Sequence, residues 1–194
     1  MKYIGITGNI GSGKSTIAHL FKLMGIPVYV ADSEARKFFL EQTVINDIVR
    51  IAGSRILNDR AQINRNVLAE ILFPNPELLS AVNRIIHPLV LADYHLWSIN
   101  RQQAPFTLFE SAIIFEQQLE SNFSAIIDVY CPEDLAIKRA SKRDHETEAQ
   151  IKLRLAHQLN AEIKSKKSDF IILNDECHSI ITQTLTLYNK LSKQ

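Results

Sequence analysis

The sequence predicts an α/β domain built on a five-stranded parallel sheet with helices on both faces. Apolar runs of strand length recur at Tyr3–Thr7, Pro27–Ala31, Phe106–Phe109, Ala125–Tyr130 and Asp169–Leu173. Such near-continuous runs are the mark of parallel strands buried on both faces. Helical patterns separate them, the alternation expected of strand–helix–strand units. A glycine-rich turn joins the first strand to the first helix, as in folds that bind ligands at the carboxyl edge of a sheet.

Bulk properties narrow the class. A chain of 194 residues fits one domain with a sizeable core. Its 46% hydrophobic and 22% charged residues are ordinary for a globular protein. A formal net charge of +1 gives no electrostatic reason to expect nucleic acid or an anionic membrane as partner. Cys131 and Cys177 lack metal-ligand spacing and read as reduced thiols. Met1-Lys2 leads straight into the first strand, leaving no room for a signal peptide, and no apolar run approaches the roughly 18 residues of a membrane helix. A cytoplasmic location is expected.

Along the chain, the run from Ser15 to Met24 is helix-compatible, with Gly25 suited to its cap and Pro27 as a stop. Residues 33 to about 51 have one helical pattern, and residues 52–64, rich in Gly, Asn and Asp, read as a loop. Two segments exceed a minimal crossover. Residues 64–103 read as helices broken at Pro74, Pro76 and Pro88, and residues 139–167 as a charged, mostly helical stretch. Long insertions after sheet strands form substrate-binding and lid elements, so these are expected as an acceptor-binding insertion and a lid.

The glycine-rich turn carries the chemistry. Gly8-x-x-x-x-Gly13-Lys14-Ser15 is a complete phosphate-binding loop with a strand before it and a helix after it. Gly8, Gly11, Ser12 and Gly13 let successive N–H groups point at phosphate oxygens, and the helix adds its positive end. Lys14 is placed to reach the β- and γ-phosphates, and Ser15 to ligate Mg²⁺. Residues Gly8, Gly11, Ser12, Gly13, Lys14, Ser15 and Thr16 are thus expected to hold ATP.

Other candidates lie near the same edge. Asp32, after the second strand, is suited to accept a proton from an attacking hydroxyl or to hold Mg²⁺ through water; the plainer alternative is an N-cap for a helix starting at Ser33. Glu110 ends the third strand, where a second Mg²⁺-oriented carboxylate belongs, and Glu116 follows close by; both are candidate substrate contacts, or simply structural carboxylates. Arg139 and Arg143, four apart, share one helix face and are suited to clasp a polyphosphate, or form an ordinary solvated basic face. His87, before Pro88, is suited to read a phosphate or ribose, or to cap a helix.

Together these residues resemble the dephospho-CoA kinase family, over nearly the whole chain from Tyr3 to about Asn174. Thr7-Gly8-Asn9-Ile10-Gly11-Ser12-Gly13-Lys14-Ser15-Thr16 differs from the family's T-G-G-I-G-S-G-K-S-T only at Asn9. Val30-Ala31-Asp32-Ser33-Glu34-Ala35-Arg36 is similar to its D-A-D-x-x-A-R, with Val30 replacing the first Asp. Asn64-Arg65-Asn66-Val67-Leu68, Phe73 and His87-Pro88 follow its middle region, and Ala112-Ile113-Ile114-Phe115-Glu116 its P-L-L-x-E element, with Ala112 for Pro. Arg139, Arg143, Asp144 and Gln158 match its lid pattern, and residues 168–174 its closing segment.

The resemblance implies a phosphate-loop kinase that converts ATP and 3′-dephospho-CoA to ADP and coenzyme A. It implies Asp32 as base, with Lys14 and Arg139 catalytic, Arg143 on the phosphates, and Arg36, Arg65 and His87 gripping the acceptor. A kinase for another small acceptor, such as a nucleoside or nucleoside monophosphate, shares the loop and lid. A GTP-dependent switch needs N-K-x-D and D-x-x-G motifs, which are missing.

Overall fold

Five strands, β1 (Lys2–Thr7), β2 (Val28–Val30), β3 (Phe106–Glu110), β4 (Ala125–Tyr130) and β5 (Phe170–Leu173), pair in parallel in the order β2-β3-β1-β4-β5. The computed structural model describes residues 2–72 and 74–193; Phe73 lies outside them. Each strand falls on one of the predicted apolar runs, and all residues of β3 are buried.

Alternation along the strands builds one face of the core. Ile4 and Ile6, Phe106 and Leu108, Ile127 and Val129, and Ile172 pack with Ile17, Ala18 and Phe21 of α1 (Lys14–Leu23) and with Leu187 and Leu191 of α9 (Ile180–Ser192). Each large apolar side chain buried this way contributes roughly 1.5–3 kcal/mol. On the opposite face Phe109 stacks on Tyr29 at 5.7 Å and packs beside Phe123.

Topology then places the site. The chain leaves β1 through α1 for the edge strand β2, returns to β3 beside β1, and crosses to β4 on the far side of β1. The carboxyl ends of β1 and β3 therefore lie side by side at the edge where open α/β sheets bind ligands. Register sets Glu110 opposite Ile6 and Asp128 opposite Thr7, level with the start of the glycine-rich turn. α1 closes with a Schellman motif, Ile26 N–H to Phe21 O and Gly25 N–H to Lys22 O, as Gly25 suggested.

The chain divides into two compact units, Met1–Val30 with Ser98–Gln194, and Ala31–Trp97. The second includes α2 (Ala31–Phe38), α3 (Gln42–Ala52), α4 (Arg65–Leu72) and most of α5 (Pro76–Ile99). The single helical pattern expected over 33–51 is two helices. The last turn of α2 tightens, with Leu40 N–H to Lys37 O and Glu41 N–H to Phe38 O, and Glu41 takes an extended backbone before α3. Because α2 starts at Ala31, Asp32 sits inside its first turn rather than capping it.

Pro88 does not break its helix: α5 runs unbroken from Pro76 to Ile99. Val82, Ile86, Val90 and Tyr94 form a buried stripe four residues apart, which holds the helix in place. Arg84 and Pro88 lie on the exposed stripe, so the Arg84 carbonyl that loses its N–H partner to proline faces water. Pro76 is the first residue of α5, where a missing N–H costs nothing.

The charged stretch of residues 139–167 is helical as expected. It comprises the second half of α6 (Glu133–Asp144), then α7 (Glu148–Leu155) with a Thr147/Gln150 capping box, and α8 (Ala161–Lys167) capped by Asn160. Among the described residues no helix is long and apolar enough to cross a membrane.

Candidate active site

The turn after β1 is shaped by what surrounds it. Ile10 at its tip is buried with Ile137 and Ala140 of α6 and Ile151 of α7. Gly11 has φ +76°, and a Cβ there would strike the carbonyl oxygen of Ala136. A side chain at this position is excluded by both backbone conformation and space. Gly11→Ala is therefore expected to cost about 2 kcal/mol or more of stability and to abolish ATP binding, checked by thermal melting and isothermal titration.

Inside the turn, Ser12 N–H closes onto Asn9 O at 3.0 Å. The N–H groups of Gly11, Gly13 and Ser15 make no hydrogen bond among the described residues. They gather at the N-terminus of α1, where the helix dipole adds positive potential. Lys14 arches back over the turn, with Nζ 3.3 Å from Asn9 O. This donor-lined turn at a helix N-terminus is fit for an anion.

Ser15 Oγ donates to Glu110 Oε1 at 2.6 Å, and Glu110, on the last residue of β3, is 6% exposed. A hydroxyl and a carboxylate set side by side at the mouth of a phosphate cradle form the hard oxygen pair that Mg²⁺ prefers. Thr16 opens outward in the first turn of α1.

The two predicted arginines take different partners. Arg139 donates to Asn174 O at 3.0 Å, to Glu176 Oε1 at 3.1 Å and to Cys131 Sγ at 3.4 Å, which ties α6 to the segment after β5. Arg143 holds Asp144 through both Nε and a terminal nitrogen, at 2.6 and 2.9 Å, and Arg154 joins the same carboxylate at 3.0 Å. The Arg143 contact holds the Asp144 carboxyl below its ordinary range.

In the second unit, Asp32 and Arg36 are exposed and one helical turn apart on α2. Arg65 opens α4 with its guanidinium 5.9 Å from the ring centre of Phe39, and His87 lies in mid-α5, half-buried. Lys37 of α2 meets Asp93 of α5 at 2.5 Å, so these two helices are linked.

Glu116 points inward. Its Oε1 accepts the Leu159 N–H and the Lys164 ammonium, each at 2.8 Å. Lys164 is completely buried and also donates to Ala112 O at 2.6 Å. Beside it, the buried Asp128 accepts from Ser165 Oγ at 2.6 Å.

Residue-by-residue reading missed Asp128 and Lys164. Asp128 left a trace as the one charged residue in the apolar run Ala125–Tyr130, whereas Lys164 is hidden among Lys164, Lys166 and Lys167. Burial pushes the Asp128 carboxyl up, opposed by the Ser165 hydroxyl and the charges of Lys164 and Lys14. A raised folded value means that the stability this group adds is complete below the ordinary carboxylate range and is lost as pH rises through the raised value. Asp128→Asn, which cannot ionise, should thus gain relative to the parent as pH climbs above about 4, by a few degrees in Tm across a pH series of melts.

The chain is similar to known proteins over nearly its whole length. The family model described as dephospho-CoA kinase matches residues 2–179. The dephospho-CoA kinase of Bacteroides fragilis (strain YCH46) is 36% identical over 185 residues, spanning 95% of this chain and 90% of its own. Among solved structures, TT1252 from Thermus thermophilus superposes with a TM-score of 0.84 at 26% identity, covering 97% of this chain and 96% of its own. A dephospho-CoA kinase from Campylobacter jejuni shares the fold, with a TM-score of 0.62 at 24% identity over 100% of this chain and 98% of its own.

Proposed function

The chain belongs to the dephospho-CoA kinase family, which acts in the last step of coenzyme A synthesis, and we propose how its own residues divide the work. The reaction moves the γ-phosphoryl group of ATP to the ribose 3′-hydroxyl of dephospho-CoA, giving ADP and coenzyme A. The observation that carries this reading is the cradle of N–H groups at Gly11, Gly13 and Ser15, unclaimed among the described residues, beneath Lys14, with Ser15 paired to Glu110.

The donor half is held by this cradle. The loop N–H groups and Lys14 grip the β- and γ-phosphate oxygens, and Ser15 with Glu110 holds Mg²⁺. Mg²⁺, when bound, neutralises charge that builds on the transferring phosphoryl group. Arg139 and Arg143 release Glu176 and Asp144 respectively to stabilise the same oxygens from the other side.

The acceptor half belongs to Asp32, Arg36, Arg65 and His87. Asp32 follows two residues after the last residue of β2 and takes or orients the proton of the attacking hydroxyl. Arg36, Arg65 and His87 hold the acceptor nucleotide and its pyrophosphate. Glu116 acts through the segment it anchors. The enzyme works in the cytoplasm on small molecules, with no role for nucleic acid or membrane.

Mass spectrometry of dephospho-CoA incubated with the protein, ATP and Mg²⁺ tests this directly. The expected product carries one additional phosphoryl group on the ribose. An unmodified dephospho-CoA, in a sample that phosphorylates a nucleoside or nucleoside monophosphate instead, overturns the assignment of acceptor.

A further inference from the structure

The phosphate loop is gripped from outside by two side-chain amides. Gln158 Oε1 accepts the Ile10 N–H at 2.9 Å, and Asn174 Nδ2 donates to Ser12 O at 2.7 Å. One amide therefore takes a loop donor and the other satisfies a loop acceptor, on either side of Gly11. Neither bond points a group at the phosphate side; each fixes the orientation of a peptide whose neighbours must aim their N–H groups inward.

Both amides are themselves held. Gln158 follows α7, with its own N–H on Leu155 O at 2.8 Å, and the next residue, Leu159, gives its N–H to Glu116. Glu116 in turn is ion-paired with the fully buried Lys164. Lys164 is fully buried and the Glu116 side chain is 11% exposed, so breaking this pair would strand a buried ammonium and release the segment that carries Gln158. Asn174 is fixed by its N–H on Tyr130 O at 2.8 Å, and its carbonyl receives Arg139 at 3.0 Å. Its amide also fills the space a Gly13 side chain would need.

We propose that Gln158 and Asn174 are positioning residues that set the phosphate loop in its anion-accepting shape, with Glu116 and Lys164 as the anchor behind Gln158. The proposal rests on the reading of the loop as the ATP site. Asn174 has a second consequence: it joins the loop and Arg139 through one residue, so a shift of the loop is transmitted to the arginine. A part-buried peptide N–H (Ile10) or carbonyl (Ser12) stripped of its partner is costly enough to change affinity by roughly ten-fold.

The test uses the full chain with Gln158→Leu and Asn174→Leu, which remove the acceptor and the donor without adding charge. Each should raise the Kd and KM for ATP roughly ten-fold, with kcat and the KM for dephospho-CoA changed far less. Amide exchange in the nucleotide-free protein supplies a second readout. The Ile10 N–H should lose protection in Gln158→Leu and regain it in Gln158→Glu, which keeps an acceptor, while the Leu159 N–H stays protected in both. ATP affinity within two-fold of the parent in both leucine variants, or equal Ile10 exchange in Gln158→Leu and Gln158→Glu, overturns the proposal. Should one leucine variant not fold, the other decides it. A parent chain that binds no ATP at all instead refutes the underlying reading of the loop.

Discussion

Asp32→Asn is expected to lower kcat by roughly 10²–10⁴-fold, the usual contribution of a positioned general base. Asparagine has the same shape and still accepts a hydrogen bond, but it takes no proton from the 3′-hydroxyl. Asp32 is exposed in the first turn of α2 and has no hydrogen bond or ion pair from its side chain among the described residues, so its carboxylate supports the fold chiefly through the helix dipole. That interaction is worth about 0.3–1 kcal/mol, far too little for the substitution to act through unfolding. ATP affinity should therefore stay close to the parent's, and steady-state kinetics with both substrates varied separates the two effects. Near-normal turnover would remove Asp32 from the role of base.

Lys14→Ala should act differently, lowering kcat by roughly 10²–10³-fold while also weakening ATP binding. The ammonium lies over the loop within reach of Asn9 O and supplies positive charge to the cradle. Its attraction for the phosphates exists in the ground state and grows as charge shifts during transfer, so both KM and kcat must suffer. Gly11 and the loop backbone remain, so the variant should keep its melting temperature to within a few degrees. Unchanged ATP affinity measured by titration would place Lys14 outside the phosphate site.

How much of this was legible in the sequence follows from where each signal lives. The strands read clearly because a parallel strand buried on both faces, such as Phe106–Glu110, carries its environment in its own apolar residues. The phosphate loop read clearly because it works through backbone groups, and backbone shape writes itself as glycine. Breaks in helices were harder. No Gly or Pro marks the turn between α2 and α3, and Pro88 is tolerated because the solvated side of α5 absorbs the loss.

Side-chain partnerships were the least legible. The i, i+4 spacing of Arg139 and Arg143 correctly set them on one helix, but their partners are Asn174 and Glu176 for the first and Asp144 for the second. Asp128, Lys164 and Gln158 acquire their roles from residues 37 to 148 positions away in the chain. Only the packed structure determines such pairs, since burial is a property of what covers a residue.

Ile10 points to something about how this loop lives in solution. A loop whose work is done by backbone amides would ordinarily fray independently of the helices around it. Here its tip is wedged among Ile137, Ala140 and Ile151 and its amide is held by Gln158, so in the parent chain it opens together with the parting of α6 and α7. Hydrogen exchange should then show the Ile10 amide released together with the amides of α7 and on the same timescale. The nucleotide cradle would be as durable as the helix pair that grips it, and heat should take both in one step.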